Sequence, residues 1–244
     1  MARQKGSVPI IGRIGDLSFY FDKQHGYLIR TTGGPNKDQI KKKQSMEVIR
    51  QNNSEFGKAS TYGSILRRAF RPLLLFCKEY TMSRRLQSLL ISIIKADDSK
   101  LPGERDIVPE HMVALQGFEL NSKCSYRKFF KSDVDVAVQK KTLLAHGTLH
   151  VSSAIGRKAN CYKLVSVIAS VDFKNCKFVN EIKETEFIPC KGSRNFEFEY
   201  PIYMRNYLFY GLVICFYRKN ENKFELIIDE GVKAGFVSFV KVMD

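Results

Sequence analysis

Residues 207 to 217 read Tyr-Leu-Phe-Tyr-Gly-Leu-Val-Ile-Cys-Phe-Tyr, a strand-forming run that is apolar on both faces. Successive side chains of a strand alternate, so Leu208, Tyr210, Leu212, Ile214 and Phe216 share one face and Phe209, Val213, Cys215 and Tyr217 the other. A strand of a two-layer sandwich buries one face and wets the other; this one demands a cover on both sides. The cover is either the chain's own N-terminal helices folded back or a neighbouring subunit. In the second case Phe209, Val213, Cys215 and Tyr217 form an interface and the chain is a homo-oligomer.

Period two runs through the rest of the C-terminal half. Val134, Val136 and Val138 alternate, as do Val165 to Phe173; Phe196, Phe198 and Tyr200 stand opposite Glu197 and Glu199; Phe224, Leu226 and Ile228 stand opposite Lys223 and Glu225. With Leu143 to Val151, Cys176 to Val179 and Phe236 to Val242, seven or eight antiparallel strands are expected, as a β-sandwich or related jelly-roll-like layer pair.

The first hundred residues follow other rules. Val8 to Arg13, Leu17 to Phe21 and Tyr27 to Thr31 read as short strands, with turns at Gly15-Asp16 and His25-Gly26. From Ser45 the period becomes helical, with Ile49, Phe56, Ala59, Leu66, Phe70 and Leu73 on one stripe. Gly57 and Gly63 cost the helix about 2 kcal/mol of propensity together, so a break or kink is expected between them unless they admit another backbone, and Pro72 marks a second kink. Ser83 to Lys95 is a further helix. The turn-rich stretch from Ala96 to Gly103 then suggests a boundary: a strand-plus-helix unit over 1–100, a connecting segment over 101–120 and an antiparallel β-sandwich over 121–244. The fold class is α+β.

Charge is divided unevenly between these parts. Residues 1–100 hold 19 Lys or Arg against eight Asp or Glu, a net +11, whereas residues 101–244 hold 21 against 17. A concentrated positive field attracts polyanions. The candidate polyanion-binding residues are Arg3, Lys5, Arg13, Lys41, Lys42, Lys43, Arg67, Arg68, Arg71, Arg84 and Arg85, among which Tyr20, Tyr27 and Tyr62 are interleaved; aromatic rings between cations are what single-strand binders use to stack bases.

Catalytic and metal signatures are missing from the sequence. The six cysteines include no C-x-x-C pair, and the chain carries no G-x-S-x-G, H-E-x-x-H or phosphate-loop motif. His146 and His150 share a face of one strand about 13 Å apart, too far to hold one metal. Gly103-Glu104-Arg105-Asp106 with Glu110-His111 gathers groups that hydrolases use, but turns attract the same residues. No catalytic residue, metal or cofactor is expected. The apolar runs are far short of the ~20 residues that cross a bilayer, and Gly12, Arg13 and Asp16 break any signal-peptide core, so the expected location is the cytoplasm or a particle assembled there.

Several segments resemble a family of uncharacterised proteins from Bacteroidota. These are Met1-Ala2-Arg3-Gln4-Lys5-Gly6, the strand Ile14-Gly15-Asp16-Leu17-Ser18-Phe19-Tyr20, the strand Gly26-Tyr27-Leu28-Ile29-Arg30 and the helix Glu55-Phe56-Gly57-Lys58-Ala59. Leu66 to Leu73, Gly103-Glu104-Arg105 and Gly117 to Asn121 also fit. The resemblance covers about half the chain and implies no activity, cofactor or catalytic residue.

The expected function is therefore that of a non-enzymatic binding protein whose basic half docks on nucleic acid or another polyanion, with the sandwich as an interaction module. The alternatives are a structural assembly protein, phage-derived, that builds a particle or filament, and an enzyme acting on carbohydrate or nucleic acid.

Overall fold

The alternation in the C-terminal half becomes antiparallel pairing throughout. The computed structural model describes all residues except 1, 7, 32, 36, 78, 131–133, 152–154, 156–158, 203–205, 222, 228–232, 243 and 244. The chain divides into two compact units, residues 1–51 and 52–244.

In the first unit, β1 (Ala2–Arg3), β2 (Gly12–Ile14), β3 (Leu17–Asp22) and β4 (Gly26–Thr31) form an antiparallel sheet in the order β1-β4-β3-β2, followed by the short helix α1 (Lys37–Lys42). The first expected strand is shorter than its apolar pattern, because Val8 to Ile11 lie outside the ladder. Instead, the Gln4 side-chain amide acts as a strand residue toward Ile10: Oε1 accepts the Ile10 N–H at 3.0 Å, and Nε2 donates to the Ile10 carbonyl at 3.0 Å.

Helix α2 (Glu47–Ala69) is followed by α3 (Arg71–Cys77) and α4 (Met82–Lys95). The expected break between Gly57 and Gly63 is absent. Gly63 faces α4, where a Cβ would come within 3.4 Å of Leu90 Cδ1 and 3.2 Å of Arg67 Nη1. Burial of Ala59, Tyr62, Ile65, Leu66 and Ala69 outweighs the propensity cost. Ile49 and Phe56, expected on the buried stripe, are instead 38% and 54% exposed. The kink at Pro72 is present: α2 ends at Ala69, and Pro72 sits in the first turn of α3.

A 3-10 helix (Pro109–Leu115) leads into β5 (Phe118–Glu119), β6 (Asp135–Gln139), β7 (Thr142–His150), β8 (Cys161–Asp172), β9 (Lys177–Glu184), β10 (Ile188–Pro189), β11 (Ser193–Pro201), β12 (Tyr207–Asn220), β13 (Lys223–Leu226) and β14 (Ala234–Val242). A seven-stranded sheet runs β10-β8-β12-β14-β5, with β9 beside β8 and β13 beside β12; a three-stranded sheet runs β11-β7-β6. Ile228, expected at the end of one strand, lies outside the described residues.

Strand β12 is covered twice, as its sequence demands. Leu208, Tyr210, Leu212, Ile214 and Phe216 pack toward the three-stranded sheet, in one core with Leu143, Ala145, Phe196, Phe198 and Tyr200. Phe209, Val213 and Cys215 share the other core with Phe70, Leu73 and Leu90 of the helices. The expected subunit interface at Phe209, Val213, Cys215 and Tyr217 is thereby corrected. The first three are 0%, 0% and 2% exposed under the chain's own helices, and Tyr217, half-buried, meets the ring of Phe187 edge-on at 5.0 Å. Gly211 makes the cover fit: a Cβ there would lie 2.6 Å from Leu73 Cδ1, so only glycine lets α3 come this close to the strand.

The same packing places the expected boundary near residue 100 inside the second unit. Residues 96–106 are tied to α2 rather than spanning two domains: Ser54 Oγ donates to the Gly103 carbonyl at 2.8 Å, buried Glu55 accepts the Gly103 N–H at 2.8 Å, and Lys58 Nζ donates to the Glu104 carbonyl at 2.8 Å. Two segments of the resemblance, Glu55 to Ala59 and Gly103 to Arg105, thus hold each other. Among the described residues no helix is long and apolar enough to cross a membrane.

Candidate nucleic-acid interface

Strand register decides which cations of the first unit stand together. Arg13 pairs across β2 and β3 with Ser18, and Ser18 pairs across β3 and β4 with Arg30; one row further, Tyr20 pairs with Leu28 and Leu28 with Arg3. Directly opposed residues share a face, and so do residues two apart on one strand. Arg3, Arg13 and Arg30 therefore rise from one side of the sheet around Tyr20, and all three are exposed. The Arg30 guanidinium carbon lies 5.3 Å from the Tyr20 ring centroid. Two strand spacings of about 4.8 Å put Arg13 and Arg30 about 10 Å apart at the backbone. Ile14, Leu17, Phe19, Phe21 and Ile29 occupy the opposite, apolar face.

Local hydrogen bonds hold this sheet in shape. At the β3–β4 turn Asp22 accepts from the N–H groups of Gln24 and His25 and lies 2.8 Å from His25 Nδ1; the His25 ring first, then the two amides, hold the carboxyl below its ordinary value. Gln4 Nε2 also reaches the Leu28 carbonyl at 3.2 Å.

The other sequence candidates lie apart from this face. Lys5 follows β1, and Lys41, Lys42 and Lys43 are exposed at the end of α1, whose last carbonyls accept from Arg50: Nη1 lies 2.7 Å from the Ile40 oxygen and 2.9 Å from that of Lys43. In the second unit, Arg67 is half-buried beside a small apolar cavity with Phe70 and Leu86; Arg68 lies over the Phe178 ring at 5.5 Å; Arg71 and Arg84 are exposed. Arg85 is structural and leaves the candidate set. Its Nε meets buried Glu79 at 3.2 Å, its Nη2 donates to the Glu119 carbonyl at 2.9 Å, and its guanidinium carbon lies 5.1 Å from the Phe118 ring centroid. Arg30, not singled out by sequence, enters because the β3–β4 register brings it beside Arg13; cross-strand alternation counted from the Asp22 turn was the signal that could have found it.

The remaining sequence features find structural roles. His146 and His150 lie on the open face of the three-stranded sheet, 3.4 Å from Asp135 and 3.0 Å from Ser193 Oγ respectively, opposite buried Ala145 and Leu149. Asp106 accepts from the Tyr62 hydroxyl at 2.7 Å; burial first, then this bond, pushes the phenol above its ordinary range. All six cysteines are free thiols, and burial pushes that of Cys77 up to about 12, far from a reactive thiolate. Among the described residues no cluster of His, Cys, Asp and Glu is arranged to hold a metal ion. No protein-family model matches the chain, and no curated protein matches it in sequence.

Proposed function

We propose that this chain binds nucleic acid or another polyanion through the basic face of its N-terminal sheet, within the cytoplasm or a particle assembled there. The observation that carries the reading is the convergence of Arg3, Arg13 and Arg30 around Tyr20. Guanidinium groups bind phosphate oxygens in a planar fork, and neutralising a polyanion releases its counterions, which makes binding strong and salt-dependent. The Tyr20 ring, half-buried among them, carries the Arg30 guanidinium at 5.3 Å and so helps to hold that cation on the face. The first unit as a whole carries ten Lys or Arg against four Asp or Glu, so the field around the face has the same sign as the face itself.

Fluorescence anisotropy of a labelled single-stranded oligonucleotide tests the reading on the full chain. Affinity is expected to fall steeply between about 50 and 200 mM salt. Arg13→Glu with Arg30→Glu should weaken binding at least about tenfold and equally for different base sequences, since phosphate contacts read no bases. Lys223→Glu with Lys191→Glu, an equal charge change on the second unit, is the control. Equal losses from both pairs, or affinity insensitive to salt, would sink the proposal. Competition by heparin as strong as by DNA would assign the face to polyanions generally.

A further inference from the structure

The two sheets of the sandwich do not match in width. Val179, Glu181 and Lys183 of β9 pair with Ser170, Ile168 and Ser166, and so face the side on which the three-stranded sheet lies. Of the three, Lys183 reaches that sheet, its Nζ 4.9 Å from the Tyr200 ring centroid; Glu181 and Lys183 are half-buried, and Val179 is 48% exposed. The neighbouring strand is β11, bonded to β7 on one side. Along its other edge, among the described residues, the Glu199 carbonyl accepts from Lys183 Nζ. Because that carbonyl points outward, the alternation of an antiparallel ladder turns the N–H and C=O groups of Asn195, Glu197 and Glu199 toward the same open side. Beneath the edge lies a cleft of about 160 Å³ whose walls are the apolar Ile168, Val179, Pro201, Ile202 and Leu208, with Ser170, Asn180 and Glu181 as its polar groups. Ser170, 8% exposed, presents a buried Oγ with no hydrogen-bond partner.

We propose that the open edge of β11 accepts one further β-strand from a partner, an extended segment in which apolar and basic residues alternate. Placed one strand spacing beyond β11, it lies over β9. Its inward apolar residues cover Val179 and fill the cleft, and its backbone takes up the outward groups of Asn195, Glu197 and Glu199. Its outward residues stand beside Glu197 and Glu199, where opposite charge stabilises a cross-strand pair and like charge destabilises it. That argues against a second copy of β11 as the occupant, since antiparallel self-pairing would set these carboxylates against each other. Lys183 holds the edge in the unbound chain, a known means by which proteins protect a free strand from unwanted pairing.

The probe is a fluorescein-labelled eight-residue peptide alternating valine and lysine, with the valine–glutamate peptide as control. The full chain carries a net charge of +15, so a basic peptide is repelled from most of its surface. The valine–lysine peptide should bind and the valine–glutamate peptide should not. Glu197→Lys with Glu199→Lys should weaken binding about tenfold or more, and Lys183→Ala, which frees the Glu199 carbonyl, should tighten it about threefold. Binding should also slow amide hydrogen exchange at Asn195, Glu197 and Glu199. Circular dichroism of each variant checks that the sandwich is intact. Equal binding of the two peptides, no binding even to Lys183→Ala, or unchanged exchange at these amides overturns the proposal. So does concentration-dependent dimerisation lost in the double variant, which would make a second copy the occupant.

Discussion

The side chain of Asn160 pairs with the backbone of Lys219 in both directions. Its Nδ2 donates to the Lys219 carbonyl at 3.0 Å, and its Oδ1 accepts the Lys219 N–H at 2.7 Å. The amide stands in for a peptide group and carries the β8–β12 ladder past its last paired residues, Cys161 and Tyr217. Asn160→Ala removes both bonds and should cost about 1–2 kcal/mol, at about 1 kcal/mol for a typical hydrogen bond and less where water replaces it. Urea unfolding should show a lower midpoint with an unchanged slope, and exchange at the Lys219 amide should accelerate. An Asn160→Ala chain with wild-type stability and exchange would mean that this end of the ladder holds without the amide.

Glu79 makes the second unit sensitive to acid. Burial pushes its pKa up, but hydrogen bonds from the Ser122 and Thr81 hydroxyls and the Ser122 N–H, with the Arg85 charge, outweigh burial and hold it at about 2, below the ordinary 4.5. A folded-state pKa below the unfolded one contributes stability that is complete above pH 4.5 and is lost as pH falls toward 2. Glu79→Gln should lower stability at pH 7 by about 2–3 kcal/mol, the scale of losing charged hydrogen bonds in a buried site. It should also flatten the dependence of stability on pH over that acid window. Urea titrations of both proteins at pH 7 and pH 3 check this; parallel losses on acidification would leave Glu79 without the role.

The segment from Ala96 to Asp106 has the composition of a protease-sensitive linker, yet it is held by α2. Glu55 is 2% exposed and accepts the Gly103 N–H, and Asp97, 1% exposed, accepts the Asp106 N–H at 3.0 Å. Cleavage requires an extended, released backbone, so the native chain should resist nicking here. Glu55→Ala leaves the Gly103 amide unpaired and should open the segment to cleavage. Mass mapping of early fragments decides: first cuts between 96 and 106 in the native protein would show that these hydrogen bonds do not restrain the loop.

Much of the architecture was legible in local pattern. Period two in Phe196 to Tyr200 became a strand with the buried face that alternation implied, Val165 to Val171 became part of β8, which is buried on both faces and not one, and Ser83 to Lys95 matched α4 to within one residue. The helix break failed because propensity is a local average. Gly63 is unfavourable in isolation, but the helix around it is held by burial in a core that includes Leu90, 27 positions away. The boundary failed for a similar reason: Asp, Ser, Pro and Gly mark turns whether or not a turn is fastened down, and the fastening groups, Ser54, Glu55 and Lys58, lie on another helix.

By itself the sequence determined that β12 needs two covers, that its surroundings are antiparallel sheet and that positive charge gathers toward the N-terminus. These follow from side-chain periodicity and composition, which each segment carries alone. Only the tertiary structure decided that one cover is the chain's own α3, admitted at Gly211, and not a second subunit. Only it withdrew Arg85 from the surface cations by pairing it with Glu79, and set Arg3, Arg13 and Arg30 on one face. Each of those outcomes depends on groups far apart in the chain being brought to hydrogen-bonding or van der Waals distance, and the strand register that does so is a property of the folded pairing.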